Sequence, residues 1–409
     1  MRRRAGRIAF ALVSMVLIGL AATAWWTADG MAARYLADTR RTAGRDGWRT
    51  DLPADGPTPG TIFLGRARPS EEPPGLRLVR VSDEVRHTGL VPGDVILSVD
   101  GHVYGNTREI ARGLMRERLA GERVAVRVWK QEGRREEELE LTLDPFLRHP
   151  GDLGLDYEEV TIPSGSGFTL RGWYMPPPAD SDGRSGVFVH GARSSRFQGL
   201  RMAKHWHDRG YGMLTMDLSG RGSSDGHHIT YTVNERHDVT AMTRWLRERG
   251  VPADKLAVFG TSNGGASAIY AAVMDPEIAA LALDAPYSDL WAISRETLEN
   301  RGLPTILAWP LCWAVERRAG FDVRDVRPID AIRDIHVPVL FIHGDADTEV
   351  RPHHSESMHD ARRSAGLASE RWVLPGGEHG FDNYPPQDEF WGRVLGFFDS
   401  AIDSTSLRH

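Results

Sequence analysis

The sequence predicts an α/β protein built on an open, mostly parallel sheet covered by helices on both faces, with a smaller α+β module ahead of it. Three observations predict this. From about residue 157 onward, short apolar runs such as Val187-Phe188-Val189 and Gly212 to Asp217 alternate with helical stretches such as Leu200 to Arg209 and Asn234 to Glu248. These runs are continuously apolar, as strands buried on both faces must be. Before residue 147 the pattern differs: strand-length alternation recurs around a single helical segment, with Gly-rich turns between.

The 409 residues leave room for two or three domains, and 41% hydrophobic with 26% charged residues is ordinary for globular proteins. A net charge of −6, with Arg dispersed along the chain, excludes the basic signature of a nucleic-acid binder. Cys312 is the only cysteine, so neither an intrachain disulfide nor a cysteine-based zinc site can form.

The chain opens with Arg2, Arg3, Arg4 and Arg7 ahead of an uncharged apolar run from Ile8 to Trp26, the layout of an export signal. Residues 1–28 are expected to be a signal peptide cut after Ala22-Thr23-Ala24, or a retained signal anchor with Trp25 and Trp26 at the interface. Either way the rest of the chain is expected outside the cytoplasm: at the cell membrane through a single pass, or secreted or periplasmic if the leader is cleaved. Residues 29–59 are polar, with Pro53, Pro57 and Pro59, and read as a linker.

Residues 60–146 form the small module. Leu76 to Val81 alternates as a strand, and Gly89-Leu90-Val91-Pro92-Gly93-Asp94-Val95-Ile96-Leu97-Ser98-Val99-Asp100-Gly101 reads as turn, strand and turn. Asn106 or Thr107 can cap a helix over Arg108 to Leu119, and Val124 to Lys130 and Glu138 to Leu143 make a hairpin about Gly133. Glu136-Glu137-Glu138 reads as a solvated edge rather than a cation site. The stretch Gly89 to Gly101 resembles the signature of PDZ domains from bacterial envelope proteases. That resemblance implies a groove taking a protein C-terminus as an added strand. Phe63-Leu64-Gly65-Arg66 is the segment to align with its carboxylate loop, and the Pro-rich insert Pro69 to Pro74 follows it. A purely structural module or spacer is the alternative role.

In residues 150–405 the chemistry centres on Val258-Phe259-Gly260-Thr261-Ser262-Asn263-Gly264-Gly265. An apolar strand, Gly-x-Ser-x-Gly and a small-residue helix from Ala266 to Met274 follow one another. Such a turn exposes a serine at its apex and leaves no room for side chains at Gly260 and Gly264, and Asn263 would offer its backbone N–H to an oxyanion. Alone, Gly-x-Ser-x-Gly also occurs in ordinary loops, so the partners decide. A base and an acid lie downstream: Gly376-Gly377-Glu378-His379-Gly380 follows one strand, and His343-Gly344-Asp345-Ala346-Asp347 follows the strand before it. The order Ser262, Asp347, His379 is the one a nucleophile elbow requires.

On these motifs residues 155–405 resemble the α/β-hydrolase superfamily, in particular its serine-aminopeptidase-like and Bem46-like members. His190-Gly191-Ala192-Arg193 is similar to the His-Gly oxyanion loop, and Asp217 to Ser224 to the Asp-x-x-Gly-x-Gly-x-Ser turn. The resemblance implies that Ala192 and Asn263 form the oxyanion hole, and it selects Asp347 over Asp345, which is left a turn role. Between 288 and 335 the alternation pauses in an aromatic stretch with Trp291, Trp309 and Trp313, expected to be a cap that lines the substrate pocket or packs on the sheet. Insertion of this stretch into a membrane surface is a further alternative. The pairs His205/His207, His227/His228 and His353/His354 lack a metal-binding motif, and adjacent helical side chains are expected to point apart, so no metal or other cofactor is expected.

The function expected is hydrolysis of a carboxylic ester or thioester by a Ser-Asp-His triad, with a small-molecule acyl ester or a peptide as substrate. A serine peptidase acting on partners recruited by the PDZ-like module is the second reading. A catalytically idle envelope scaffold is the third.

Overall fold

The computed structural model describes residues 57–406 apart from 59, 63, 82–84, 86, 382, 383, 385 and 386. The expected leader, nearly all of the linker, and Phe63 therefore lie outside the described residues. Among those described, no helix is long and apolar enough to cross a membrane. The chain falls into two compact units that part between Gly154 and Leu155.

The N-terminal unit holds strands β1 (Gly60–Thr61), β2 (Arg66–Glu71), β3 (Pro74–Arg80), β4 (Val95–Val99), β5 (Arg123–Lys130), β6 (Arg135–Thr142) and β7 (Asp144–Pro145), with helix α1 (Thr107–Glu117) between β4 and β5. β2 to β6 form a five-stranded sheet in chain order, antiparallel throughout, and β1 pairs with β7. Period-two patterning drives it: Val124, Val126 and Val128 of β5 turn inward while Arg123 and Arg127 stay outside. Asn106 caps α1, its Oδ1 accepting from Glu109 N–H at 3.0 Å. Asp94 is fully buried and pins the Gly89–Gly93 turn, pairing with Lys130 at 2.5 Å and accepting from the N–H groups of Val91 and Gln131. The Pro-rich insert is not an irregular loop. Pro69 lies in β2 and Pro74 in β3, so the segment is the tip of a hairpin. Glu136 and Glu137 pair with Arg127 and Arg135 along the outer strand β6, as a solvated edge should.

The larger unit contains β8 (Glu158–Pro163), β9 (Thr169–Met175), β10 (Ser185–Val189), α2 (Phe197–Asp208), β11 (Gly212–Asp217), α3 (Glu235–Glu248), β12 (Leu256–Thr261), α4 (Asn263–Met274), β13 (Ala280–Asp284), α5 (Leu290–Glu299), α6 (Ala308–Ala319), α7 (Pro328–Ala331), β14 (Val339–Gly344), α8 (His353–Ser364), β15 (Ser369–Leu374) and α9 (Gln387–Ser406). Its eight strands stand in the order β15-β14-β13-β12-β10-β11-β9-β8. The six strands from β15 to β11 are parallel, and β9 and β8 join antiparallel. The sheet is thus mostly parallel, with an antiparallel edge where the strands connect through a hairpin too short for a crossover helix.

Both faces of the central strands are buried, and alternate residues serve opposite cores. Val187, Val189, Val258, Leu281, Leu283 and Phe341 pack with Val239, Met242 and Leu246 of α3, Ile269 of α4 and Met358 of α8. Phe188 and Phe259 stack 5.6 Å apart on the other side, against Trp391 of α9, while Trp206 of α2 meets Phe398. The sequence reading assigned α9 no element, yet Phe390, Trp391, Val394, Leu395, Phe398, Ala401 and Ile402 all bury at helical spacing.

α8 follows the strand that ends at His343-Gly344, and a buried arginine fixes it there. Arg362 donates to the carbonyls of Ile332, Ile335, Val337 and Ala368 at 2.7 to 3.0 Å, tying α8 to the segment entering β14. Its burial lowers the guanidinium pKa to about 10. Arg362→Ala strands four carbonyls without their donor, and should cost about 3 kcal/mol or more. Chemical denaturation measures this, and an unchanged midpoint and slope would contradict the role given to Arg362.

Candidate active site

Ser262 stands between β12 and α4 with φ 53° and ψ −119°, a conformation rarely adopted by residues bearing a Cβ. The surrounding backbone enforces it. A Cβ at Gly264 would lie 2.4 Å from the Val189 carbonyl oxygen, and one at Gly260 would lie 2.7 Å from that of Gly264. Both glycines are required by space, because the elbow crosses the end of β10 at backbone contact distance. The Ser262 N–H is itself engaged, donating to the Asp284 carbonyl at 2.7 Å.

His379 Nε2 is 3.0 Å from Ser262 Oγ, and His379 Nδ1 is 2.7 Å from Asp347 Oδ2. Asp347 thus fixes the tautomer, with the proton on Nδ1 and the Nε2 lone pair facing the serine hydroxyl. Burial works against the His379 cation, but the hydrogen bond and charge of Asp347 win, and the pKa lies above its ordinary 6.5. For Asp347 burial acts the opposite way, yet hydrogen bonds from His343 and His379 hold its carboxyl well below the usual range. Its Oδ1 accepts from Glu349 and Val350 N–H at 2.8 and 3.0 Å. Asp345 is exposed and accepts from Gly376 N–H at 2.6 Å, holding the loop that leads to His379. The acid and histidine loops touch at glycines too, since a Cβ at Gly344 would stand 2.1 Å from the Gly377 oxygen.

The His190-Gly191 loop runs beside the serine: a Cβ at Gly191 would be 3.6 Å from Ser262 Cβ. His190 braces it, with Nδ1–H donating to Gly191 O at 2.8 Å and Nε2 accepting from Leu218 N–H at 3.1 Å. Asp217 secures its far end by accepting from Arg196 N–H and Ser223 N–H. This sets Ala192 on the loop next to the serine and Asn263 at the first turn of α4, the two backbone N–H groups expected to face an oxyanion. In the N-terminal unit, Leu64 is buried and Gly65 has φ 98°, so that segment turns sharply with its leucine in the core.

Several neighbours of the site were not singled out from sequence. Asp284, fully buried at the end of β13, accepts from Thr261 Oγ1 at 2.8 Å and Phe381 N–H at 2.9 Å, joining the elbow strand to the histidine loop. Burial raises its pKa to about 6. Tyr384 is buried near the same carboxyl, and its hydroxyl oxygen accepts from Gly344 N–H at 3.1 Å. His343 does more than hold its loop. Its Nε2 faces Val350 O at 2.8 Å and Asp347 Oδ2 at 3.2 Å, so it carries a proton that supports the acid. An acid closing an apolar strand is the one available signal for Asp284; nothing local marks Tyr384.

The cap expected at 288–335 comprises α5, α6, short 3-10 turns and α7. Leu290, Cys312, Val323 and Val326 are buried in one cluster with Ala266 of α4, Tyr287 and Val350, and Trp291 and Tyr270 pack on it. Trp309 and Trp313 instead remain 56% and 40% exposed. Packing accounts for one side of the aromatic stretch and solvent meets the other. The expectation that adjacent histidines diverge fails at His353 and His354, whose ring centres are 4.2 Å apart and which both reach Glu296. His205, by contrast, pairs only weakly with Asp388, at 3.6 Å.

Comparison with known proteins agrees with this architecture. The chain is 25% identical over 252 residues to the uncharacterized protein YqkD of Bacillus subtilis, covering 60% of this chain and 80% of that one. It is 24% identical over 259 residues to the alpha/beta hydrolase domain-containing protein WAV2 of Arabidopsis thaliana, covering 61% and 81%. Among solved structures, the esterase Pf2001 of Pyrococcus furiosus superposes with a TM-score of 0.52 at 24% identity, over 62% of this chain and 94% of that one. A puromycin-hydrolyzing peptidase of Mycobacterium tuberculosis gives 0.51 at 18% identity, over 69% and 44%. At these identities the two structures establish the fold. The profile of the prolyl oligopeptidase family matches residues 199–405, a span holding β11 to α9 and all of Ser262, Asp347 and His379. The chain belongs to the prolyl oligopeptidase family, within the α/β-hydrolase superfamily of serine hydrolases.

Proposed function

We propose that this serine hydrolase cleaves carboxylic esters or thioesters, with Ser262 as nucleophile, His379 as proton carrier and Asp347 as the acid that orients it. The observation that carries this reading is the unbroken run of hydrogen bonds from Asp347 through His379 to Ser262, at 2.7 and 3.0 Å. As Ser262 Oγ bonds to the substrate carbonyl carbon, its proton passes to His379 Nε2, and Asp347 stabilises the imidazolium. The carbonyl oxygen becomes an oxyanion facing the N–H groups of Ala192 and Asn263, each contributing about 3 kcal/mol to the transition state. His379 then protonates the leaving alcohol or thiol, and water, deprotonated by the same histidine, releases the acid.

The ester reading is favoured by the cap, which packs apolar side chains directly on the elbow helix at Ala266 and Tyr270. Membership of a peptidase family supports the second reading, a serine peptidase. The 60–146 module is PDZ-like in this proposal. Its antiparallel sheet with helix α1, and the turn at Leu64 and Gly65, suit capture of a protein C-terminus. The basic cluster and apolar run of residues 1–28 support anchorage in the cell membrane with the hydrolase unit outside the cytoplasm.

A panel of p-nitrophenyl acyl esters against aminoacyl and peptidyl amides tests the bond type. The ester reading expects kcat/KM for the preferred ester to exceed that for any amide by about 100-fold, a difference of roughly 3 kcal/mol in transition-state stabilisation. Faster turnover of a peptidyl amide would install the peptidase reading instead.

Asp347 is tested through its effect on His379. Catalysis needs the neutral imidazole, so with a raised pKa the activity should fall as pH drops through a value above 6.5. In Asp347→Asn turnover should fall by about 10,000-fold, and the residual activity should extend to lower pH because the group that contributes most to raising the imidazole pKa has lost its charge. Unchanged turnover in that variant, with loss in Asp345→Asn, would move the acid to Asp345.

A further inference from the structure

Glu296 of the cap helix α5 meets His353 and His354, the first two residues of α8. One donor atom from each lies within 4.8 Å of the others. His353 Nε2 is 2.7 Å from Glu296 Oε1, and His354 Nε2 is 3.2 Å from Glu296 Oε2. The ring planes are 31° apart with centres 4.2 Å apart, and both Nε2 atoms lie against the one carboxylate. We propose that Glu296, His353 and His354 form a binding site for a divalent transition-metal ion of the zinc class.

The donor set fits such an ion. Two imidazoles and a carboxylate are borderline ligands suited to Zn2+ and its neighbours, and three protein ligands leave a fourth position for water. Bonds of about 2.0–2.1 Å to a tetrahedral ion set donors about 3.3 Å apart. The observed spacings, 2.7 and 3.2 Å, run to the two different oxygens of Glu296, and with one donor atom from each residue inside 4.8 Å of the others, adjustment of the His353–Glu296 contact brings the three donors around one ion.

Access and support are divided between the two histidines. The side chain of His353 is 53% exposed, giving an ion and a water ligand a route in, while His354 is fully buried. The second ring nitrogen of His354 meets a partner suited to a metal ligand: Nδ1 is 2.7 Å from Ser288 Oγ. Without metal, Nδ1 accepts from Ser288 N–H at 3.2 Å and Nε2–H points to Glu296. With an ion on Nε2 the proton moves to Nδ1 and is donated to Ser288 Oγ, at the loss of the hydrogen bond from Ser288 N–H.

The position gives the site a consequence. α5 belongs to the cap, whereas α8 begins just after the loop from Asp347 to Val350. Ser355, next to His354, holds His343 Nδ1 at 2.9 Å, and His343 in turn supports Asp347. A bound ion therefore fastens the cap to the helix behind the acid loop. The inference stands apart from the hydrolase reading, and its test reads metal binding and stability alone.

The full chain, stripped with a chelator, is titrated with Zn2+ by calorimetry and followed by thermal unfolding. Wild type should take up one ion at micromolar metal or below and gain in Tm. Because the chain carries 16 histidines, variants must locate the ion. His353→Ala alters an exposed side chain and Glu296→Gln keeps the shape of the contact, so both should fold. Each should lose the high-affinity ion and the Tm gain, and Ser288→Ala should weaken binding by about 10-fold or more. Absence of tight binding in wild type, or equal binding by folded His353→Ala and Glu296→Gln, overturns the proposal.

Discussion

Two backbones pass closer in this protein than any side chain would permit, and the reactive geometry depends on that passage. The elbow helix abuts the end of β10 at Gly264, where a single Cβ would collide with the Val189 and His190 carbonyl oxygens. The same approach holds Ser262 at a positive φ, aims its hydroxyl out of the sheet, and brings the Gly191 backbone alongside. Serine, the His190-Gly191 loop and strand order are thus one constraint seen at three points. The cost of the strained residue is offset by the apolar sheet core beneath it, where Phe188 and Phe259 stack on their shared face.

Around the elbow, loops that a helix or strand cannot position are held by buried polar groups. Asp217 fastens the segment after the His190-Gly191 loop, Asp284 joins the elbow strand to the histidine loop, and His343 supports Asp347. Each group satisfies several backbone or side-chain partners at once, as buried polar atoms must. Asp284 is the most telling of these. Its carboxyl is pushed up to about 6 by burial, yet it keeps hydrogen bonds to two separate elements that must stay in register for His379 to face Ser262.

Local motifs made much of the site legible in the sequence. Ser262, Asp347 and His379 each follow an apolar run that ends in Gly-rich or acidic turn residues, their chain order is the one a nucleophile elbow requires, and the family resemblance separates Asp347 from Asp345. Gly260 and Gly264 were readable for the same reason: the turn's chemistry demands them. What escaped is contact between residues far apart in the chain. Glu296 lies 57 residues before His353, so nothing near either histidine announces the carboxylate that draws the rings together. Tyr384 reaches Gly344 across 40 residues in the same way. The hairpin at 69–74 was not legible either, because prolines disfavour strand pairing and its register is set by pairing with β3. The helix α9 went unassigned although Phe390, Val394 and Phe398 recur at helical spacing.

The central claim is that Ser262 is an activated nucleophile, and covalent labelling addresses it directly. A fluorophosphonate probe should modify wild type once, with peptide mass spectrometry placing the adduct on Ser262, and should leave folded Ser262→Ala untouched. A folded wild-type protein that never reacts, or an adduct on another residue, would contradict the account.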